Sequence, residues 1–142
     1  MVCTANICRS PMSEALWRAA AAKLGRNLPV VSAGVDAQPG RPADPNCVEL
    51  LAERGLDLSE HRASRFNAEG ASQFELILVM EQEHARRIMA LGPTLAGRVQ
   101  LIGRWGEGPI NDPYGASRPV YEDCLRRLEA SVNAWIGRIA RA

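Results

Sequence analysis

The chain has 142 residues, a formal net charge of +1 and 46% hydrophobic residues, enough for one domain with a hydrophobic core. A charge so close to zero gives no support for binding nucleic acid or an anionic membrane surface. No stretch is long and apolar enough to span a membrane, and no basic-then-apolar leader opens the sequence, so we expect a cytoplasmic protein without membrane insertion. Four cysteines in a reducing compartment do not indicate a disulfide framework. Because there are two histidines and no Cys-x-x-Cys pair, we also expect no metal site and no cofactor.

The first stretch with a chemical pattern lies at the start of the chain. Strand-like Val2 is followed by Cys3, by a loop of small residues and by Arg9. Ser10 and Pro11 then predict the start of a helix, because serine caps free backbone N–H groups and proline fits the first helical position. Cys3 and Arg9 therefore bracket a loop that leads into a helix N-terminus.

Such a loop is suited to binding a phosphate group. Its backbone N–H groups, the positive end of the helix dipole and the planar guanidinium of Arg9 can all point at one dianionic oxyanion. The same field favours a thiolate at Cys3. The alternative interpretation of Cys3 is a small buried apolar residue at the end of a strand.

The rest of the chain alternates between short strands and helices. The first helix is expected to end at Gly25, and a β-branched run predicts a strand over 30–33. Asp44 and Pro45 predict a second helix with Asp44 as its cap, ending at Gly55. Four further elements are predicted in order: a buried strand over 76–80, a helix over 81–89, a strand over 99–102 and a helix from Pro119 onward.

This alternation predicts the fold class. We expect a single-domain α/β protein with an open, mostly parallel four-stranded sheet and helices on both faces. Ligands of such sheets bind at the carboxyl ends of the strands, where Cys3 lies. The long irregular loop over 106–115 is a second candidate functional segment, because such loops in compact domains are usually functional.

The opening motif resembles the nucleophile loop of bacterial low-molecular-weight protein tyrosine phosphatases. The residues that carry the match are Cys3, Asn6, Ile7, Cys8, Arg9, Ser10 and Pro11. The resemblance extends over almost the whole chain, so residues 1–142 are expected to form one such domain. It implies hydrolysis of phosphotyrosine in proteins through a cysteinyl-phosphate intermediate.

The resemblance also implies roles for individual residues. Cys3 would attack phosphorus, Arg9 would bind the phosphate oxygens, and Asp112 would serve as general acid and then general base. Tyr114 would be the aromatic wall beside the substrate ring, with a solvent-facing loop aromatic as the alternative. The residues that would bind phosphate or support the loop are Thr4, Ala5, Asn6, Ile7, Cys8 and Ser10.

Three further residues have assignments that rest on the family. Its general acid lies in an Asp-Pro pair, and the chain has two such pairs. Helix capping explains Asp44, so Asp112 is the expected acid. His61 lies in a segment where the family has a structural histidine. Cys8 is the neighbour that can form a reversible disulfide with Cys3.

Several other functions compete with this interpretation. Arsenate reductases of the same fold pass oxidation to closely spaced cysteines, whereas Cys47 and Cys124 are far apart in the sequence. Protein arginine phosphatases of the family typically have threonine where this chain has Ile7. A non-catalytic phosphopeptide-binding module would have no use for Asp112 or a reactive thiol. The expected partner is a phosphotyrosine protein, with a bacterial tyrosine kinase as one candidate.

The chain departs from the family at two places. Ala5 occupies a loop position where glycine is usual, so we expect strain there if the backbone has positive φ. Only Met1 and Val2 precede the nucleophile, whereas relatives carry several apolar residues. We therefore expect the first strand to be truncated and the native protein to begin upstream of Met1.

Overall fold

The structure is a computed structural model that describes residues 1–142. Four parallel strands, β1 (Val2–Cys3), β2 (Ala33–Gly34), β3 (Ile77–Val79) and β4 (Val99–Leu101), form one sheet in the order β2-β1-β3-β4. The helices are α1 (Arg9–Lys23), α2 (Pro45–Ala52), α3 (Ala68–Ala71), α4 (Gln82–Leu91), α5 (Arg118–Arg141) and the 3₁₀ helices Pro93–Arg98 and Ile102–Trp105. The predicted single-domain α/β fold is confirmed, and all four strands are parallel.

Alternating side chains of the sheet divide the core into two layers. Cys3 and Leu78 face the larger layer, which is formed with α1, α2 and α5. Val2, Ile77 and Val79 face the smaller layer, which is formed with α3 and α4. Because both faces are covered, the central strands β1 and β3 are apolar without interruption, as expected for a buried parallel sheet.

The main differences from the predicted elements are at the start of α1, in β2 and in one additional short helix. Helix α1 begins at Arg9 with Cys8 as its N-cap, so Ser10 lies inside the helix and does not cap it. The Ser10 hydroxyl lies instead 3.0 Å from the Sγ of Cys3. Strand β2 covers Ala33–Gly34, so it begins three residues later than the predicted 30–33 strand and includes Gly34, because β1 pairs with it only from Val2 onward. The short helix α3 has no counterpart among the predicted elements.

A large cavity lies at the amino end of the sheet. It has a volume of about 810 Å³ and lies between residues 28–33 and 73–78, with Met1 among its lining residues. The Met1 ammonium group donates a hydrogen bond to the carbonyl of Val31 at 3.0 Å, and burial lowers its pKa from 8.0 to about 6. We call this space the amino-end cavity.

No helix of the structure combines the length and apolarity needed to cross a membrane.

Candidate active site

The loop between β1 and α1 folds against the end of β2. A Cβ atom on Gly34 would lie 2.5 Å from the carbonyl oxygen of Thr4 and 2.8 Å from the backbone nitrogen of Asn6. Any side chain at this position would therefore displace the loop. Gly34 at the carboxyl end of β2 is what lets residues 4–8 curl into a compact ring beside Cys3.

Asn6 holds the shape of this ring. It has a φ of +58°, and its side-chain amide donates to the hydroxyls of Ser10 at 2.8 Å and Ser32 at 2.9 Å. Its side-chain oxygen accepts from the backbone N–H of Ser64 at 2.9 Å. Its carbonyl oxygen lies 2.7 Å from Nε2 of His61, which gives that histidine the predicted structural contact. Asparagine is one of the few residues that tolerate this backbone region.

The expectation of strain at Ala5 is wrong. Asn6 is the only non-glycine residue with positive φ in the chain, so the positive φ that would strain Ala5 does not occur there. The left-handed turn of the loop falls one residue later than the substituted glycine position suggested.

The nucleophile candidate Cys3 is buried at the end of β1, and its sulfur faces Ser10. Because the Asn6 amide donates to the Ser10 oxygen, the Ser10 hydroxyl keeps its own proton for a bond to an acceptor. The sulfur at 3.0 Å is the nearer of its two candidate acceptors, and the carbonyl of Ala33 at 3.4 Å is the other. A thiolate at Cys3 would therefore receive a hydrogen bond from Ser10.

Arg9 is almost fully buried, and one edge of its guanidinium is free. Nη1 donates to the carboxylate of Glu81 and to the carbonyl of Ile110 at 2.9 Å. Nη2 lies 3.4 Å from the Thr4 hydroxyl and 3.8 Å from Oδ2 of Asp112, and Nε is buried without any partner. An unpartnered buried donor is rare in folded proteins. The Nε–Nη2 edge is thus a two-donor fork that matches the geometry of a phosphate group.

The loop of residues 3–9 and the Nε–Nη2 edge of Arg9 form a cradle for an anion. Asp112 stands at the open side of this cradle. Its Oδ1 accepts from the backbone N–H of Tyr114 at 3.1 Å, which orients Oδ2 toward Arg9. The segment is anchored to the sheet because the N–H of Ile110 donates to the carbonyl of Met80 at 2.8 Å. The half-exposed carboxylate can therefore exchange a proton with a ligand and with water.

Tyr114 is the most exposed large hydrophobic residue in the chain, with 58% of its surface accessible. Its hydroxyl accepts a hydrogen bond from Arg41 at 3.2 Å, and the Arg41 guanidinium lies 5.7 Å from the ring centroid. These contacts hold an aromatic side chain next to Asp112 without burying it. The position of Tyr114 suits the predicted aromatic wall at the entrance of the cradle.

The other Asp-Pro pair has a structural role. Asp44 caps α2 by accepting from the N–H of Asn46 at 2.8 Å, as predicted, and also accepts from the hydroxyl of Tyr121 at 2.7 Å. Cys8 donates to the same carboxylate at 3.4 Å. Its hydrogen bond with Cys47 and its burial raise the pKa of the Cys8 thiol, so Cys8 is protonated. The disulfide predicted between the two loop cysteines stays a prediction.

Sequence reasoning missed two residues of the site, Glu81 and His84. Glu81 pairs with Arg9, and its backbone N–H donates to Nδ1 of His84 at 3.1 Å. Nε2 of His84 lies 2.9 Å from the hydroxyl of Thr4. The available signal was position, because Glu81 follows the carboxyl end of β3, where a parallel sheet places its ligands.

The site offers donors for an anion and no ligand set for a metal. No group of three or more His, Cys, Asp and Glu side chains in the chain could hold a metal ion. A thiol, a buried guanidinium fork and a carboxylate lie around one loop at the carboxyl edge of a parallel sheet, an arrangement suited to binding a phosphate group. Residues 1–142 match the family model described as low molecular weight phosphotyrosine protein phosphatase. The chain belongs to this family.

Individual relatives agree with this assignment. A protein named probable low molecular weight protein-tyrosine-phosphatase EpsP, from Ralstonia solanacearum, is 41% identical over 139 residues, which cover 98% of this chain and 93% of EpsP. The structure of the tyrosine phosphatase Wzb from Escherichia coli K30 in complex with sulphate has a TM-score of 0.89 at 34% identity and covers 97% of this chain and 94% of Wzb. The YwlE arginine phosphatase, a Bacillus subtilis protein, has a TM-score of 0.93 at 32% identity, with coverage of 98% and 93%.

Proposed function

We propose that this enzyme hydrolyses phosphotyrosine in proteins through a cysteinyl-phosphate intermediate. The observation that carries the proposal is the unpartnered Nε of Arg9, a buried donor that has no acceptor within the protein. A phosphate group bound there would complete the hydrogen bonding of Arg9. It would also lie next to Cys3, the residue at the base of the same loop.

In the first step the thiolate of Cys3 attacks phosphorus and the bond from phosphorus to the tyrosine oxygen breaks. Asp112 gives a proton to the departing phenol oxygen. Arg9 and the backbone N–H groups of residues 4–9 stabilise the charge on the equatorial oxygens. The helix dipole of α1, which begins at Arg9, adds to this field.

In the second step Asp112, now a carboxylate, takes a proton from water. The water oxygen attacks phosphorus, the sulfur–phosphorus bond breaks, and inorganic phosphate forms. The hydroxyl of Ser10, 3.0 Å from the sulfur, stabilises the departing thiolate of Cys3. The enzyme returns to its initial protonation state when phosphate leaves.

The substrate we propose is a phosphotyrosine side chain, with its ring beside Tyr114 and its phosphate on Arg9. The exposed ring of Tyr114 supports this assignment, because an aromatic surface next to the acid suits a planar aryl leaving group. The partner is a phosphotyrosine protein in the cytoplasm. A bacterial tyrosine kinase is the specific candidate that the family resemblance implies.

A protein arginine phosphatase is the second candidate, and the high structural similarity to YwlE favours it. Ile7, at the position where such phosphatases typically have threonine, favours phosphotyrosine. An arsenate reductase is disfavoured by burial rather than by distance along the chain. Cys47 contacts Cys8 but is fully buried, and burial raises the pKa of Cys124 to about 12, so neither thiol is ready for exchange.

Turnover of matched phosphotyrosine and phosphoarginine peptides tests the proposal. Cys3→Ser should abolish hydrolysis of the phosphotyrosine peptide, because an alkoxide is not available where a thiolate is. Asp112→Asn should lower kcat by roughly 10²–10⁴, the usual effect of losing a general acid. Asp36→Asn is the matched control, because that carboxylate pairs with Arg87 on the surface.

Two outcomes would contradict the assignment. Faster hydrolysis of phosphoarginine than of phosphotyrosine would make the enzyme an arginine phosphatase. Full activity of Asp112→Asn together with loss of activity in Asp44→Asn would reverse the choice of general acid.

A further inference from the structure

The side chain of Thr4 has an unusual set of neighbours. Its hydroxyl oxygen lies 2.9 Å from Nε2 of His84 and 3.4 Å from Nη2 of Arg9. It makes no other hydrogen bond within the protein. Arg9 is always a donor, because a guanidinium has no acceptor site. Whether His84 donates or accepts depends on which ring nitrogen carries the proton.

The other ring nitrogen decides this question. The backbone N–H of Glu81 points at Nδ1 of His84 over 3.1 Å, so Nδ1 must offer a lone pair. Burial, with a smaller contribution from Arg9, lowers the pKa of His84 below its usual 6.5. The imidazole is therefore neutral near pH 7 with its proton on Nε2. It donates that proton to the hydroxyl oxygen of Thr4.

Two donors thus occupy the hydroxyl oxygen, and the hydroxyl proton has no acceptor in the protein. A hydroxyl oxygen accepts at most two hydrogen bonds, so the proton must point in the remaining direction. An anion on the Nε–Nη2 edge of Arg9 would lie beside Thr4, because Nη2 is 3.4 Å from the hydroxyl oxygen, and it would supply the acceptor that the hydroxyl proton lacks.

We propose that the Thr4 hydroxyl donates a hydrogen bond to the phosphoryl group bound by Arg9, and that His84 is the positioning residue that directs it. The inference rests on the proposed function, because it requires a tetrahedral oxyanion in the cradle. His84 does not touch the anion. It fixes the direction of the Thr4 proton and strengthens Thr4 as a donor.

Protonation of His84 removes this arrangement. A proton on Nδ1 would face the N–H of Glu81, so two donors would oppose each other and the ring would turn. The charged groups that act on the ring are Arg9 of α1, Glu81 and Glu83 at the start of α4, and Asp112 of the 106–115 loop. Since the neutral ring is the competent form, the contribution of Thr4 to anion affinity is lost as the pH falls below the pKa of His84.

Calorimetric titration with inorganic sulfate between pH 5 and pH 8 tests the proposal. Sulfate stays a dianion over this range, so the probe itself does not titrate. At pH 7.5, Thr4→Val should weaken sulfate binding by roughly tenfold to a hundredfold, the effect expected for a lost hydrogen bond to a charged group. Thr4→Ser keeps the hydroxyl and should retain affinity. Thermal unfolding of each variant checks the fold.

A double-mutant cycle isolates the role of His84. His84→Phe should weaken sulfate binding, but it should add little when Thr4→Val is already present. The fall in affinity at acidic pH should be smaller in Thr4→Val than in the wild-type protein, since the variant lacks the hydroxyl that His84 directs.

The contrary outcomes separate the two proposals. Sulfate affinity in Thr4→Val equal to that of the wild-type protein, or fully additive losses in the double mutant, would overturn the role of Thr4 and His84 while leaving the phosphatase function intact. A wild-type protein that does not bind sulfate at any pH in the range would overturn the anion cradle and this inference with it.

Discussion

The two ends of strand β1 contain very different kinds of unsatisfied groups. At the carboxyl end Asn6 makes four hydrogen bonds, and the one buried donor without a partner is Nε of Arg9. At the amino end the backbone N–H groups of residues 30–32 donate to no backbone carbonyl. These residues adjoin the amino-end cavity, which is mainly apolar and has a volume of about 810 Å³. The amino-end cavity is therefore not the candidate active site. One vacant charged fork indicates an anion site, whereas a wide, mainly apolar gap between two chain segments offers no comparable donors for a phosphate group.

Replacing Arg9 by lysine should strongly impair phosphate binding and turnover at the carboxyl end of β1. Lysine keeps the charge but loses the planar fork, and it cannot also bind Glu81 and the carbonyl of Ile110. We expect kcat/KM for a phosphotyrosine peptide to fall by roughly 10²–10³, nearly as far as in Arg9→Ala. Arg18→Lys is the matched control, because Arg18 contacts Glu14 and the carbonyl of Val30 near the other end. Substantial activity in Arg9→Lys would show that charge alone binds the phosphate.

Filling the amino-end cavity should stabilise the fold without changing catalysis. The parallel register places Val2 beside Ala33 and Val79, so four residues ahead of Met1 would extend to the level of Leu28 and Phe74. Both residues line the cavity. A chain extended by four apolar β-branched residues should gain about 3 kcal/mol in free energy of unfolding, from apolar burial and new strand hydrogen bonds less the ordering entropy.

Urea unfolding of the extended and unextended chains measures this gain. An extension of four serines or glycines controls for added length. Equal stability of the unextended chain, the β-branched extension and the serine or glycine extension would show that the added residues do not form a strand in the amino-end cavity. The expectation that the native protein begins upstream of Met1 stays a prediction, and the intact mass of the protein from its native source tests it.

The pH dependence of stability gives an independent test of the same end. Burial lowers the pKa of the Met1 ammonium group to about 6 from 8.0, so the unfolded chain binds more protons between these values. Stability should therefore rise as the pH increases from 6 to 8, by at most about 2–3 kcal/mol. N-terminal acetylation removes the charge and should flatten this rise in urea midpoints. A rise of the same size in the acetylated protein would assign it to other groups.

Sequence reasoning succeeded where a local pattern determines the structure. The continuous apolar run over 76–80 predicted buried strand β3, and the Asp44-Pro45 pair predicted the start of α2. It failed where a distant partner decides. Ser10 was expected to cap α1, but contacts with Cys3 and Asn6 turn its hydroxyl inward.

The site itself was only partly predictable for the same reason. The loop motif located Cys3 and Arg9, whose positions depend on a few consecutive residues. The contacts of Glu81 with Arg9 and of His84 with Thr4 join residues that are 72 and 80 positions apart in the chain. No local pattern encodes such contacts, because they arise only when the ends of β1 and β3 meet.

Asp44→Ala should destabilise the protein more than the loss of a simple cap. Besides the N–H of Asn46, the buried carboxylate accepts from Tyr121 and Cys8. Burial and the bond to Asp44 raise the pKa of Tyr121 to about 12, so its hydroxyl remains a donor that would lose its acceptor. We expect a loss of about 2–3 kcal/mol in urea unfolding.

Asn67→Ala provides the matched control for this loss. Asn67 caps α3 through the single bond from the N–H of Gly70, and we expect it to contribute about 0.5–1 kcal/mol. Equal losses in the two variants would mean that the additional contacts of Asp44 contribute nothing to stability.

The smallest change in the free energy of unfolding is expected from a substitution at Ala5. This substitution tests whether the loop at the carboxyl end of β1 is free of backbone strain at that position. Ala5 has no positive φ, so glycine would relieve no strain there, and it would increase the conformational entropy of the unfolded chain. Ala5→Gly should therefore lower the free energy of unfolding by about 0.4–1 kcal/mol, as measured by urea unfolding. Asn6→Gly is the informative neighbour, because glycine accepts a φ of +58° but gives up the three side-chain hydrogen bonds to Ser10, Ser32 and Ser64. If those bonds hold the ring together, Asn6→Gly should be the more destabilising of the two. A gain in stability from Ala5→Gly would place the strain at Ala5 after all.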